Sequence, residues 1–281
     1  MSGNLAASIR ARLKQHADVT QQDFNLILTH YGLERLLYRL SVSAHAPNFL
    51  LKGALLFSVW YDLPHRPTRD VDLLGYGPDD TDSAITAFRE ISQIVVDDGI
   101  KFDAASIKGM EIRKEAGYGG VRIDIQATLD GARISLQVDI GFGDAVTPEP
   151  LAISYPILLV DQAAPQLRAY PKYTVVAEKF QALCALGMAN SRMKDYFDLW
   201  VLLRENDLDK VELRRAIEAT FARRQTPMPT ATPMGLSDGF VDDTTKQLQW
   251  RAFLRKNKLN AIELYEVVTI LRKSFQEIGV I

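Results

Sequence analysis

The sequence predicts a protein of the α+β class, with strands and helices mixed in its first half and helices alone in its second half. The alternation of polar and apolar residues that is typical of half-buried strands occurs only before Tyr170-Pro171. After that point apolar residues recur with the helical period. We therefore predict two domains, at residues 1–167 and 168–281.

The strands of the first half are predicted from alternation and from turn residues. The clearest hairpin signal is Asp130-Gly131, which separates two alternating segments at 121–129 and 132–140. Residues 48–59 are an apolar run interrupted by Lys52-Gly53, which predicts a short strand, a glycine turn and the start of a helix. Further strands are predicted within residues 68–75, 99–113 and 151–160.

Helices are predicted where apolar residues recur every three or four positions. Thr81 or Asp80 is the expected cap of a helix at 81–96. The other predicted helices lie at residues 4–15, 21–44, 174–186, 192–206, 210–224, 244–256 and 261–279.

Composition excludes several classes of protein. The 281 residues are 47% hydrophobic and 24% charged, which is typical of a globular protein and not of a disordered or fibrous one. The single cysteine, Cys184, excludes an intramolecular disulfide and a thiolate zinc site. No apolar run approaches the roughly 18 residues that span a bilayer, so we expect a cytoplasmic protein without membrane contact.

Charge is distributed unevenly along the chain. The net charge of −2 divides into −6 for residues 1–167, with 15 basic and 21 acidic side chains, and +4 for residues 168–281, with 18 basic and 14 acidic side chains. This asymmetry is compatible with a polyanionic partner for the second half or with chance variation in composition. The basic residues of the second half, including Arg214, Arg215, Arg251 and Arg255, are compatible with an RNA-binding face or with a solvated helix surface.

A pair of carboxylates is the sharpest chemical feature. The motif at residues 66–73 (RPTRDVDL) overlaps the strand predicted at 68–75, so that Asp70 and Asp72 project to the same side. Two adjacent carboxylates repel each other, and a hard divalent cation is the usual compensation. The later strand contains Asp139 on its polar side, and three such carboxylates can hold two magnesium ions around a nucleoside triphosphate. Asp124 is the alternative third carboxylate.

Four segments in this order resemble the AbiEii/AbiGii type of nucleotidyltransferase toxin, to which the MenT toxins are similar. They are LKGALLF, RPTRDVDLL, QVDIGFGDAVTP, and AEKFQAL with KDYFDLW. The resemblance implies a nucleotidyltransferase-like mixed β-sheet core with flanking helices, followed by a helical C-terminal domain. It also implies transfer of a nucleoside monophosphate from a nucleoside triphosphate to an acceptor, which in characterised relatives can be the 3′ end of tRNA, with a block of translation. A neighbouring antitoxin protein is the implied partner.

The resemblance also assigns site residues. Asp70 and Asp72 match the metal-binding pair, and Gly53 matches the phosphate-side glycine, although Ala54 stands where the family pattern has a small polar residue. Lys179 matches a lysine that contacts nucleotide phosphates. Lys194, Asp195 and Asp198 match the closing K-D-x-x-D pattern. In it we expect Asp195 to orient Lys179 or contact the nucleotide, and Asp198 to support the helix packing or to act on the site through another residue.

The expected catalytic set is therefore Asp70, Asp72, Asp139, Lys179 and Asp195, with Mg²⁺ on the first three. The expected nucleotide contacts are Lys52, Gly53, Arg66, Thr68 and Lys179. Arg66 can clamp a triphosphate in bidentate fashion. Thr68 matches a hydroxyl that some relatives modify to silence the enzyme, and its alternative role is to pair within the strand.

Two other classes of function are compatible with the sequence. A non-catalytic module on a degenerate transferase fold would bind nucleotide or protein without turnover, as the Ala54 departure suggests. A transferase of the same chemistry could instead modify a protein or small-molecule hydroxyl. The four histidines have no ligand spacing and are interpreted as structural, although His65 lies near the aspartates in sequence.

Overall fold

The computed structural model describes residues 2–61, 66–113, 119–205 and 207–281. The chain divides into two compact units. The first comprises residues 1–143 and 151–169, and the second comprises residues 144–150 and 170–281. The first unit contains a mixed sheet with flanking helices and the second contains helices, which confirms the predicted fold class.

A seven-stranded mixed sheet forms the first unit, in the order β3-β4-β5-β2-β1-β7-β6. Its strands are β1 (Phe49–Lys52), β2 (Asp70–Gly75), β3 (Ile100–Arg113), β4 (Gly119–Leu129), β5 (Ala132–Phe142), β6 (Leu151–Ser154) and β7 (Gln166–Ala169). β2 lies parallel to β5 and antiparallel to β1, so that it occupies the centre of the sheet.

The β4–β5 hairpin follows the sequence prediction. Asp130 and Gly131 form its two-residue turn, with φ of 45° and 76°. Positive φ at both central residues is what a type I′ turn requires, and its twist matches that of the flanking strands. The turn pairs Leu129 with Ala132, which fixes the register of the whole hairpin.

Four helices accompany the sheet in the first unit. They are α1 (Ser2–Thr20), α2 (Phe24–Val42), α3 (Phe57–Trp60) and α4 (Thr81–Ser92). α4 begins as predicted, because the Asp80 side chain accepts a hydrogen bond from the backbone N–H of Ser83. α2 packs against the apolar face of β5, where Gly32 lets the helix approach Ile134 and Leu136. The other face of the sheet carries the polar side chains.

The second unit is built from the helices α5 (Lys172–Leu186), α6 (Met193–Leu203), α7 (Lys210–Arg223), α8 (Asp238–Asp242), α9 (Thr244–Lys256) and α10 (Leu264–Ile278). Phe180 of α5 stacks on Phe275 of α10 with their ring centroids 3.9 Å apart, and Phe221 of α7 lies beside them. These buried rings hold α5, α7 and α10 together. Among the helices described, none has both the length and the apolar character that crossing a membrane demands.

The sheet contains one strand that was not predicted and one that lies, as predicted, within a longer segment. β7 was not predicted, and β6 ends at Ser154 within the segment predicted at 151–160. β7 is a four-residue strand with two exposed positions, and it is defined by pairing with β1 and β6. Such a strand has no distinctive local pattern, because its partners come from distant parts of the chain.

Candidate active site

The paired carboxylates lie on the polar face of the sheet. Asp70 and Asp72 alternate on β2 with Val71 and Leu73, which are 1% exposed on the opposite face. Both aspartates are half-buried. The Thr68 hydroxyl donates a hydrogen bond of 2.7 Å to Oδ1 of Asp70, which restricts the rotamer of that side chain. Two carboxylates therefore share one accessible face, as the alternation predicts.

Gly53 lies directly against Asp72. Its φ is +76°, and a Cβ at this position would lie 2.1 Å from Oδ2 of Asp72. Because no larger residue fits there, the glycine permits the close approach of β1 and the carboxylate. Lys52 is opposite Asp72 in the β1–β2 register and is buried, which brings a cationic side chain to the same part of the sheet.

The segment after Gly53 is shorter than a regular helix. It forms a 3₁₀ turn at Gly53–Leu56, followed by the four residues of α3. The predicted helix start is present, but few peptide dipoles are aligned in it, so its attraction for anions is weak. Phosphate binding at this point would depend on individual N–H groups and on Lys52.

Asp139 is held by an arginine that the sequence reading did not single out. Asp139 on β5 is the register partner of Asp72 on β2, so their side chains share a face. Arg122 on β4 donates from Nε to Oδ1 of Asp139 over 2.8 Å and from Nη2 to Oδ2 over 2.9 Å. Both oxygens of the predicted third carboxylate thus bind one guanidinium.

The charges around Arg122 are those of the candidate site. Its hydrogen bonds with Asp139 raise the pKa of the guanidinium, and Asp124 and Asp70 act in the same direction. Asp124 lies opposite Gln137 in the hairpin, and it is not the carboxylate that accepts the two hydrogen bonds from Arg122. A signal for Arg122 was present in the sequence, because a two-residue turn that pairs 129 with 132 also pairs 122 with 139.

The residues of this face fit a magnesium ion through two carboxylates. Among the described residues, no group of three histidine, cysteine, aspartate or glutamate side chains is arranged to hold a metal. Magnesium commonly takes only one or two carboxylates together with water and substrate phosphates. The half-buried oxygens of Asp70 and Asp72 meet that requirement, since they are hard donors on one face.

Thr68 connects the carboxylates with a histidine from α2. Nε2 of His30 lies 2.8 Å from the Thr68 carbonyl oxygen, so that this nitrogen is the protonated donor. Burial lowers the pKa of His30. His30 was interpreted as structural, and its structural role is to hold the segment that leads into β2. His65 lies outside the described residues.

A cavity of about 270 Å³ opens beside this segment within the first unit, and Arg66, Thr68, Ala54 and Glu34 contribute to its wall. Glu34 is 2% exposed, and burial raises its pKa to about 7. Its Oε2 accepts a 2.7 Å hydrogen bond from the backbone N–H of Leu158, and its Oε1 lies 2.7 Å from Nη2 of Arg35. Arg66 thus lies by this cavity, next to Thr68.

The second unit contains a buried charge cluster around Lys179. Nζ of Lys179 on α5 lies 2.7 Å from Oδ1 of Asp195 and 2.8 Å from Oδ2 of Asp198, both on α6. The two aspartate side chains are 0% and 1% exposed. Asp198 was expected to support the helix packing or to act on the site through another residue, and its direct contact with Lys179 is compatible with the second alternative. The three-residue spacing places both carboxylates on the side of α6 that faces α5.

Arg192 completes this cluster and was also missed. Its Nε lies 2.6 Å from Oδ2 of Asp195, and its side chain as a whole is 40% exposed at the residue that precedes α6. Asp195 therefore meets one cation on each oxygen. The signal was the spacing of three residues between Arg192 and Asp195.

Within the first unit the structure brings together Asp70, Asp72, Asp139, Lys52, Gly53 and Thr68. Within the second unit it brings together Lys179 and Asp195. The catalytic and binding roles of these residues remain predictions.

Comparison with known proteins defines the class. The family model described as nucleotidyl transferase AbiEii toxin, Type IV TA system, matches residues 35–278. The chain therefore belongs to the AbiEii nucleotidyltransferase toxin family. It is a nucleotidyltransferase, and membership in a toxin–antitoxin family implies a nucleotide substrate and an antitoxin partner.

Two solved structures resemble the chain at low identity. JHP933 from Helicobacter pylori is 15% identical, with 87% of each chain covered and a TM-score of 0.48. A protein described as a "putative nucleotidyltransferase" from H. pylori is 16% identical, with 87% of this chain and 90% of that one covered and a TM-score of 0.45. No curated protein matches the sequence.

Proposed function

We propose that the protein is a Mg²⁺-dependent toxin that transfers a nucleoside monophosphate from a nucleoside triphosphate to RNA. The proposed acceptor is the 3′ end of tRNA, and the proposed consequence is a block of translation in the cytoplasm. The observation that carries the proposal is the pair Asp70 and Asp72 on one accessible sheet face, with Gly53 packed against Asp72.

The metal would be held by Asp70 and Asp72. When bound, Mg²⁺ would neutralise charge on the triphosphate and on the leaving group. The Thr68 hydroxyl would keep Asp70 in its binding rotamer, because it already donates to one oxygen of that carboxylate. The Gly53 backbone would allow the triphosphate to approach the strand closely.

The proposed reaction forms one bond and breaks one. An acceptor hydroxyl oxygen attacks the α-phosphorus, the bond between the α-phosphorus and the bridging oxygen breaks, and pyrophosphate leaves. The hydroxyl proton passes to a carboxylate or to water. Lys52 and Arg66 are the proposed phosphate contacts in the first unit. Lys179, fixed by Asp195 and Asp198, is the proposed phosphate contact in the second.

The choice of RNA as acceptor is supported by charge. Residues 168–281 carry a net charge of +4. Arg251, Arg255, Lys256 and Lys258 are exposed at α9 and just after it. By contrast, Arg214 and Arg215 are ion-paired with glutamates on their own helix. Exposed cations within a short stretch are the electrostatic requirement for binding a phosphate backbone.

The experiment that tests this function is a labelling assay. Purified protein is incubated with each α-labelled nucleoside triphosphate, Mg²⁺ and total tRNA, and labelled RNA is separated on a gel. One set of tRNA is first oxidised with periodate, which destroys the 3′-terminal hydroxyls. We expect label on intact tRNA, none on oxidised tRNA, and none without Mg²⁺.

The matched variant is Asp70→Asn, which keeps the shape of the side chain and removes its charge. We expect it to lower the labelling rate roughly 10³-fold or more, because metal stabilisation of the transition state is worth several kcal/mol. Expression of wild type should arrest bacterial growth, whereas expression of Asp72→Ala should not. Labelling of a protein or small molecule instead of RNA, or equal labelling by Asp70→Asn, would contradict the proposal.

A further inference from the structure

The fork between Arg122 and Asp139 changes what the third carboxylate can do. Both Asp139 oxygens accept from the same guanidinium, at 2.8 and 2.9 Å, in the bidentate geometry that gives the strongest hydrogen-bonded ion pairs. Asp139 is 8% exposed, whereas the side chain of Arg122 is 34% exposed, so the carboxylate of the pair is buried and the guanidinium is partly accessible to water. Each Asp139 oxygen retains a second acceptor site, but a cation bound there would lie beside the guanidinium charge, and the charge of Asp139 is already compensated by Arg122.

Asp70 differs from Asp139 in the nature of its partner. Its Oδ1 accepts from the neutral hydroxyl of Thr68, which leaves the carboxylate charge uncompensated by that contact. Asp139 is compensated by a full positive charge on the neighbouring strand. Asp70 and Asp139 therefore differ in the charge of their hydrogen-bond partner, although both are aspartates on adjacent central strands.

We infer that Arg122 is a positioning residue of the nucleotidyl-transfer site: it reserves Asp139, so that the divalent cation is bound by Asp70 and Asp72 and not by Asp139. The inference rests on the proposed function for the metal-binding role of Asp70 and Asp72. It replaces the three-carboxylate arrangement expected from the sequence with a two-carboxylate one, in which an arginine is the permanent counter-ion of the third.

Arg122 also sets the strength of cation binding. Its positive charge lies on the same face as Asp70 and Asp124, which contribute to the raised pKa of the guanidinium. A fixed cation there opposes a second cation at short range. Removing Arg122 leaves Asp139 available and also removes that repulsion. We expect both changes to tighten the binding of a divalent ion.

The test is direct measurement of Mn²⁺ binding, with free Mn²⁺ followed by electron paramagnetic resonance in the absence of nucleotide. Arg122→Ala should bind Mn²⁺ roughly tenfold more tightly than wild type. The double variant Arg122→Ala/Asp139→Asn, which removes both charges of the pair, should return to the wild-type affinity. Arg133→Ala is the matched control, because it removes one exposed positive charge from β5, and it should bind Mn²⁺ as wild type does.

Two results would overturn the inference. One is a double variant that binds Mn²⁺ more weakly than wild type, which would make Asp139 a ligand. The other is an Arg122→Ala variant with the affinity of Arg133→Ala. Asp70→Asn separates these outcomes from failure of the proposed function: loss of Mn²⁺ binding in that variant shows that the ion occupies the proposed site. Thermal unfolding of each variant establishes that the protein measured is folded.

Discussion

The sheet face of the first unit and the Lys179 cluster of the second unit both combine aspartates with cationic side chains, but they differ in burial. Asp70 and Asp72 are half-buried, and Asp70 is contacted by a neutral hydroxyl. Asp195 and Asp198 are buried and share Lys179, with Arg192 on the remaining side of Asp195. The carboxylates of the first group are partly accessible to solvent, whereas those of the second group are buried with their cationic partners.

This difference separates carboxylates that can accept a cation from carboxylates that hold Lys179 in place. A buried charge is tolerated only when it is paired, so the Lys179 cluster must be nearly complete before any ligand arrives. Half-exposed carboxylates are stabilised by water and can exchange that water for a cation. On the sheet face, Arg122 and Asp139 form a pair of opposite charges. We therefore expect the cation to bind at Asp70 and Asp72 and not at Asp139.

The largest expected effect breaks the buried cluster. Lys179→Met leaves two buried carboxylates without their shared cation, and we expect it to destabilise the protein by about 3–5 kcal/mol. The measurement is chemical denaturation. Lys194→Met is the control, because Lys194 is exposed one residue before Asp195 and its loss should leave stability almost unchanged.

Removing the carboxylates as well should restore stability. Lys179→Met combined with Asp195→Asn and Asp198→Asn contains no buried carboxylate without a cation. Only Arg192 loses its contact with Asp195, and because the Arg192 side chain is 40% exposed, the variant should regain most of the lost free energy of unfolding. If Lys179→Met is as stable as wild type, Lys179 does not compensate the charges of Asp195 and Asp198.

The next effect concerns the accessible face. Gly53→Ala places a methyl group on Oδ2 of Asp72, and we expect the displaced carboxylate to lower the labelling rate roughly 10²-fold. Gly131→Ala is a closely matched control, because Gly131 has the same φ of +76° and nothing within 4 Å of an added Cβ. Both variants pay about 1–2 kcal/mol of backbone strain. A difference in activity between them therefore reports the contact with Asp72, and equal activity would count against it.

The smallest effect is a pH dependence in the wall of the first-unit cavity. Burial raises the pKa of Glu34 from 4.5 to about 7, so the folded state retains a proton that the unfolded state has lost. This stabilisation is complete below pH 4.5 and is lost as the pH rises through 7. Between pH 5 and 7.5 wild type should lose about 2 kcal/mol from this group, whereas Glu34→Gln should lose none of it. Unfolding free energies measured across this range check the difference, and parallel pH profiles would contradict it.

The hairpin and the carboxylate pair show which features can be predicted from local sequence. Asp130-Gly131 fixes a turn and a register, and alternation places Asp70 and Asp72 on one side of β2. The register that this turn sets also places Arg122 opposite Asp139, but this contact was recognised only in the structure, where both strands are paired. The contact of Asp198 with Lys179 could be identified only from the packing of α5 against α6. The spacing along α6 places Asp195 and Asp198 on the same side and does not distinguish their contacts.

The amino-acid sequence by itself determined the α+β class, the main helices and strands, the family and the faces on which the charged residues lie. The class, the elements and the faces follow from periodicity and turn chemistry over a few residues, and the family follows from the resemblance of short motifs. Both kinds of signal are local. The tertiary structure decided which charges are partners, because residues distant in the chain meet only when strands pair and helices pack. The fork between Arg122 and Asp139 depends on that pairing, and so does the contact of Gly53 with Asp72.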